Sequence, residues 1–235
     1  MHRFIVRASL LAQDSVTLDG ARARQIAVVL RMQPGEEITL VAGGHEARAV
    51  LESVTPDVVV ARISERATAT REPGVALTLA LPLLRGDRSE EVVEAVTQLG
   101  VARVLPYVST RSVVRALGDA KRERWERIAR EAAETARRGT APPIGTLRTW
   151  DELFGVLPRP ILVAWEGERE LRLRDAVPTS VPALSLVIGP EGGLTDEEIA
   201  LARSNEATIV SLGERTLRAE TAAIAAVAIA MDVLD

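Results

Sequence analysis

Leu186-Val187-Ile188-Gly189-Pro190-Glu191-Gly192-Gly193-Leu194-Thr195-Asp196-Glu197-Glu198-Ile199 is the stretch on which the fold turns. An apolar run of strand length enters a Pro/Gly loop, and the loop enters a helix that announces itself. Thr195 is an N-cap residue, Glu198 three positions on completes a capping box, and Leu194 and Ile199 stand where a hydrophobic staple needs them. Glycine at 189, 192 and 193 permits positive φ and lets a ligand lie against bare backbone. A strand passing directly into a helix is half of a βα unit, and ligands of open α/β sheets bind at the carboxyl ends of such strands. The same residues also describe a tight strand-to-helix turn whose glycines serve geometry alone.

The rhythm repeats on both sides. Apolar runs at 75–84, 103–108, 161–165, 184–188 and 208–211 read as strands, and the longer segments between them have helical period. That alternation predicts a mainly parallel sheet covered on both faces. Asp87 is placed to cap a helix that turns Val92, Val96 and Leu99 inward and ends at Gly100. Asp119 is placed to cap another, with Trp125, Ile128, Ala129 and Ala132 on its buried side. Residues 218–234 form a last helix whose run from Ala222 to Ala230 has almost no polar position, so it must be buried nearly all round, in the core or against a second subunit.

The first seventy residues differ. Short β-branched runs at 3–7, 15–18, 37–41, 45–53 and 58–63 are separated by Asp19-Gly20, Pro34-Gly35, Gly43-Gly44 and Pro56-Asp57, with one helix at 21–32. This is the pattern of a small, partly closed β-barrel. With a linker at 68–74, the chain divides into domains at 1–70 and 74–235, α/β in class and α+β overall.

Composition limits the chemistry. With no cysteine, disulfides, thiolate nucleophiles and cysteine-bound zinc are excluded, and the two histidines, His2 and His45, leave little for a metal site. No apolar run has the length of a membrane span, and Arg3, Arg7, Asp14 and Asp19 interrupt any signal-like start, so a cytoplasmic protein is expected. The net charge of −4 hides an asymmetry that a polyanion would sense locally. Residues 103–138 carry ten Lys/Arg against five Asp/Glu, whereas residues 139–235 carry eight against fifteen. The basic stretch is either a solvated face or a nucleic-acid contact.

A second loop repeats the logic of the first. Ser211-Leu212-Gly213-Glu214-Arg215-Thr216-Leu217-Arg218-Ala219-Glu220-Thr221-Ala222 leaves a strand through a glycine and re-enters a helix with two arginines and a glutamate at its mouth. Two such loops at neighbouring strand ends could hold a small ligand by backbone groups, with Arg218 and Glu220 at its edge. Neither G-x-G-x-x-G nor G-x-x-x-x-G-K-[ST] is present. Glu191, Asp196, Glu197 and Glu198 would repel a phosphate, so a phosphate-free or cationic ligand fits better.

Taken together, "LVIGPEGGLTDEEI" and "LGERTLRAETAA", with "RFIV", "VLRMQPGE", Gln98-Leu99-Gly100-Val101 and Ser109-Thr110-Arg111-Ser112, make the chain resemble the RsmE family of SPOUT-class methyltransferases along its whole length. The resemblance implies an N-terminal PUA-like β-barrel, a C-terminal SPOUT α/β domain with a deep trefoil knot, and a homodimer with the last helix at its interface. It implies S-adenosyl-L-methionine as cofactor and N3 of one uridine in 16S ribosomal RNA of the small ribosomal subunit as target. Carried over, the cofactor would touch Ala164, Trp165 and Glu166, the turn Ile188, Gly189, Pro190, Glu191 and Gly192, and the loop Leu212, Gly213, Arg215, Thr216 and Leu217. Arg31, Arg111 and Arg138 match the family's RNA-side positions, and Arg115, Arg124 and Arg137 add local positive charge.

Uridine N3 is a weak acid, so the site needs a proton acceptor or a cation for the uridine anion. Arg218 is the expected anion stabiliser and Glu220 the expected base; no metal is called for. Methylation of a ribose hydroxyl or another RNA, and non-catalytic RNA binding, are the competing readings.

Overall fold

In the computed structural model, which describes residues 1–69 and 72–234, the chain forms two compact units. The first comprises Met1–Glu72 and Ala133–Ala141, and the second Pro73–Ala132 and Pro142–Asp235. The division between the units falls at Glu72–Pro73, and Thr70 and Arg71 lie outside the described residues. The return of the chain to the first unit at Ala133–Ala141 has no counterpart in the sequence pattern.

In the first unit β1 (His2–Ile5), α1 (Ala8–Leu11), β2 (Ser15–Asp19), α2 (Gly20–Arg24), β3 (Glu37–Ala42), β4 (His45–Val54) and β5 (Val58–Thr68) follow in order. The sheet runs β1-β3-β4-β5-β2, with β1 parallel to β3 and the other pairs antiparallel. Alternation decides which face is inside: Val16 and Leu18 are buried while Ser15, Thr17 and Asp19 are exposed. β1 and β2 are the edges, so the expected barrel is open along that seam.

The helix expected at 21–32 is shorter. After α2 the chain makes a π-helical turn over Gln25–Val29, closed by the Leu30 N–H on the Gln25 carbonyl at 2.9 Å. The β-branched Ile26, Val28 and Val29 are stiff in a helix. The wider turn buries Ile26 and leaves Val28 and Val29 exposed.

The returning segment is tied down by charge. Glu134 accepts the Ile5 N–H at 2.8 Å and pairs with Arg22. Arg138, 3% exposed, pairs with Glu72 at 2.7 Å, and the other oxygen of Glu72 accepts the Gly139 and Thr140 N–H groups at 2.7 and 3.1 Å. Partial burial raises the Glu72 pKa, but these bonds and the guanidinium outweigh it and hold the carboxyl below its ordinary value.

The second unit contains β6 (Ala76–Pro82), α3 (Arg88–Gln98), β7 (Arg103–Val108), most of α4 (Asp119–Thr135), β8 (Arg148–Thr149), α5 (Trp150–Leu153), β9 (Ile161–Ala164), α6 (Leu173–Ala176), β10 (Ala183–Ile188), α7 (Asp196–Ser204), β11 (Thr208–Val210) and α8 (Ala219–Leu234). Its sheet is parallel throughout, in the order β11-β9-β10-β6-β7-β8. Leu77, Leu79, Leu184, Leu186 and Ile188 face one apolar core, and Ala80, Val163, Val187 and Ile209 face a second. The two-residue period thus feeds a core on each side of the sheet, as the apolar runs predict.

Helix ends both support and correct the sequence reading. Gly100, at φ +104°, ends α3 with the Val101 N–H on the Val96 carbonyl and its own on Thr97, a Schellman arrangement. Asp87 precedes α3 but makes no side-chain cap. Asp119 lies inside the first turn of α4, where the Gly118 carbonyl accepts from Lys121 and Arg122. α8 buries Ala219, Ala223, Ala226, Val227, Ala230 and Met231, but Ile224, Ala225, Ala228 and Ile229 are only half-buried. Within one chain, therefore, α8 is covered on one face, not all round.

Candidate functional site

Three parallel strands, β9, β10 and β11, end side by side, and the loops leaving them make one cavity of about 480 Å³. Each loop is fixed by a bond that sequence pattern cannot show. The Tyr107 hydroxyl donates to the Ile188 carbonyl at 2.5 Å, pinning the last residue of β10. Burial pushes that phenol's pKa well up, and the Glu198 charge adds to the effect, so it stays a donor. The Trp165 N–H bonds the Val210 carbonyl at 3.0 Å, joining the ends of β9 and β11.

The loop at 189–195 then meets α7 as its sequence requires. Thr195 and Glu198 form the reciprocal capping box, at 3.2 and 2.9 Å, and Leu194 and Ile199 are both buried in one core. Glu198 also accepts the Thr110 N–H at 2.8 Å, which anchors a third loop beside the first. Gly193 has φ +71°, and a Cβ there would collide with the Glu166 carboxylate. Gly213, at φ +118°, turns the second loop, and its N–H donates to Ser211 Oγ at 3.2 Å.

Of the residues expected to touch the cofactor, Ala164, Trp165 and Glu166 line this cavity, as do Ile188, Gly189, Pro190 and Glu191. Leu212, Gly213, Arg215, Thr216 and Leu217 complete the wall, with Arg218 and Glu220 at its edge. Gly192 does not line the cavity. It packs under Arg111, whose guanidinium donates to the Gly192 carbonyl at 3.1 Å, and a Cβ at Gly192 would lie 2.9 Å from Arg111 Cβ. Gly193, read from the sequence as a glycine against which a ligand could lie, lines the cavity, and Arg88, Ala219 and Ala222 line it without a sequence expectation. The one available signal for Arg88 was its position just after Asp87, a cation at a helix start, where acids are favoured.

Charge inside the cavity is unevenly satisfied. Glu191 accepts the Arg85 N–H at 3.0 Å. Arg88 lies between two carboxylates, 3.8 Å from Glu191 and 3.7 Å from Glu220. Glu220 Oε2 is buried without a hydrogen-bond partner. The Arg218 side chain is exposed, and Glu220's ion pair is with Arg88, not Arg218. The lining holds three carboxylates, Glu166, Glu191 and Glu220, and three guanidiniums, Arg88, Arg215 and Arg218, so the cavity is glycine-walled and mixed in charge, with one buried carboxylate oxygen unanswered.

The expected RNA-side arginines are divided between the units. Arg31 and Arg137 are exposed in the first, at φ +54° and +58°. Arg111, Arg115 and Arg124 are exposed in the second, where Arg115 donates to the Thr110 carbonyl at 2.8 Å and Arg124 pairs with Glu90 at 2.7 Å. Arg138 is the exception: buried and paired with Glu72, its charge is not presented to a phosphate. Among the described residues no helix is long and apolar enough to cross a membrane, and no group of three or more acidic, histidine or cysteine side chains could hold a metal ion.

Loops at the ends of parallel strands enclose a cavity, the usual place of a ligand in an open α/β sheet, and residues 71–231 match the model of the RNA methyltransferase domain family. The relatives narrow that class. Ribosomal RNA small subunit methyltransferase E of Bacillus subtilis is 33% identical over 88% of this chain and 85% of its own. The protein of the same name from Mycobacterium tuberculosis is 32% identical over 89% and 83%. The crystal structure of ribosomal RNA small subunit methyltransferase E from Neisseria gonorrhoeae bound to S-adenosyl methionine is 31% identical, with a TM-score of 0.89 over 97% of this chain and 95% of that one. The chain belongs to the ribosomal RNA small subunit methyltransferase E family.

Proposed function

We infer that the protein is an S-adenosylmethionine-dependent methyltransferase of 16S ribosomal RNA, and that its target is N3 of a uridine. The observation that carries the reading is the cavity at the ends of β9, β10 and β11. Its walls are the two glycine-bearing loops, and Glu191 and Glu220 stand among them as carboxylates able to face a positive centre. The residues fit the methyl donor: Glu191 and Glu220 complement a sulfonium, and Gly193, at positive φ, shapes the cradle's wall. When bound, the donor supplies an electrophilic methyl group on a positive centre.

The chain's own groups do the rest. The loops at 164–166, 188–193 and 212–217 hold and orient the donor, largely through backbone. Arg218, at the rim and exposed, stabilises the negative charge that spreads to O2 and O4 as N3 loses its proton. Glu220 accepts that proton at the free oxygen.

The first unit serves as a PUA-like RNA-recognition module, with Arg31 and Arg137 exposed to reach phosphates. The second folds as a SPOUT domain with a trefoil knot, a reading supported by β10 lying between β9 and β6 and by the family resemblance. The half-buried apolar face of α8 favours a homodimer. A cytoplasmic place of work follows from the ribosomal substrate.

Transfer of labelled methyl from S-adenosylmethionine to free 16S RNA and to intact small subunits, followed by nucleoside mass spectrometry, tests the reading. 3-Methyluridine is the expected product. A ribose-methylated nucleoside would replace the target atom, and no transfer with no donor binding in calorimetry would remove the activity.

A further inference from the structure

Arg88 is the first residue of α3, so its cation stands at the positive end of a helix, and Asp87 before it makes no side-chain cap that would offset the charge. The turn that delivers it is rigid. The Leu83 N–H bonds the Tyr107 carbonyl at 3.1 Å, the Leu84 N–H bonds Ser89 Oγ at 3.0 Å, and Lys121 donates to the Gly86 carbonyl at 3.1 Å. A locally unfavourable cation on a fixed turn is placed there by what it faces.

What it faces is the pair Glu191 and Glu220, one from the β10–α7 loop and one from the first turn of α8. At 3.8 and 3.7 Å it is close enough for charge attraction but outside hydrogen-bonding distance of either. Glu220 therefore has one oxygen steered by Arg88, while its other oxygen, Oε2, is buried with no donor at all. Glu220 thus faces a cation on one side and lacks a partner on the other.

We propose that Arg88 is a positioning residue for methyl transfer: it bridges Glu191 and Glu220 from a fixed turn and holds the Glu220 carboxylate in place for the N–H of the target base. The proposal rests on the methyltransferase reading above. When the base gives up its N3 proton to that carboxylate, Glu220 becomes neutral, and Arg88 is left paired with Glu191 alone. Its two-carboxylate bridge thus turns over with each proton transferred. Besides Arg88, the charged groups lining the cavity around Glu220 are Glu191, Arg215, Arg218 and Glu166, and of these only Glu191 shares its ion-pair cluster.

The test compares the unaltered protein with Arg88→Ala, Arg88→Lys, Glu220→Gln and the double variant Arg88→Ala/Glu220→Gln. Methyl transfer, donor affinity and thermal melting are measured in parallel. Arg88→Ala is expected to lower kcat by roughly tenfold or more, with donor affinity and melting little changed. Arg88→Lys restores the charge and should recover part of kcat. The double variant should be no slower than Glu220→Gln alone, since the arginine acts through that carboxylate. A kcat in Arg88→Ala equal to that of the unaltered protein, or losses that multiply in the double variant, would overturn the proposal while leaving the methyltransferase reading in place. Failure of the unaltered protein to transfer methyl groups would overturn both.

Discussion

Two arginine–glutamate clusters sit in this chain in opposite states. In the first unit Arg138 and Glu72 are saturated, with a 2.7 Å ion pair and two backbone N–H groups on the remaining carboxylate oxygen. In the second, Arg88 stands 3.7–3.8 Å from two carboxylates and one buried oxygen has no donor. A saturated cluster has no capacity left for a ligand, so its work is structural: it fastens the returning segment Ala133–Ala141 to the first unit. An unsaturated cluster in a cavity is destabilised until something enters, which is the signature of a site.

The contrast can be broken by substitution. Arg138→Ala should give the largest effect, about 3 kcal/mol of lost stability, because it strands a carboxylate among donors without its cation. Chemical denaturation followed separately for each unit would read it, and methyl-donor affinity should hold. Arg218→Ala should leave stability unchanged and lower kcat about a hundredfold, with little change in donor binding by calorimetry. A large loss of donor binding instead would make Arg218 part of the donor's cradle.

Acid supplies a third comparison. The Glu72 carboxyl is held below its ordinary value near 4.5, so the stability it contributes is fully present above that pH and fades as the pH falls through the lower native value. Melting temperatures taken from neutrality to about pH 3 should fall less steeply in Glu72→Gln than in the unaltered protein. A smaller effect again is expected at Arg31, which is exposed. Arg31→Ala should lower the salt slope of RNA affinity by about one, with no change in melting. Least of all, Arg174→Ala removes an ion pair with Asp232 in which both side chains are about two-thirds exposed, and stability should stay within about 0.5 kcal/mol of the parent.

What could be read in the amino-acid string follows the range of the forces involved. β7 at Arg103–Val108 has the bounds its apolar run predicts, and the Thr195–Glu198 capping box is complete, because both are set by residues a few positions apart. Both cavity loops were legible for the same reason: glycine and cap residues mark them locally. β8 has two residues and α5 and α6 four each, too few for a period to register. The burial of Arg138 depends on Glu72, 66 positions away, and the role of Arg88 on Glu191 and Glu220, which no local pattern can encode. For Arg138 the resemblance suggested an RNA-side residue, whereas the structure buries it against Glu72.

The register of β6 against β10 has a consequence for synthesis. Ala76 pairs with Ala183, and the Arg85 N–H meets Glu191 across 106 positions of chain. During translation β6 must therefore wait, one edge unpaired, until β10 has left the ribosome. The sheet of the first unit, by contrast, has all its strands once Thr68 is out, and only its segment Ala133–Ala141 comes later. A nascent chain thus completes the sheet of its first unit long before that of its second.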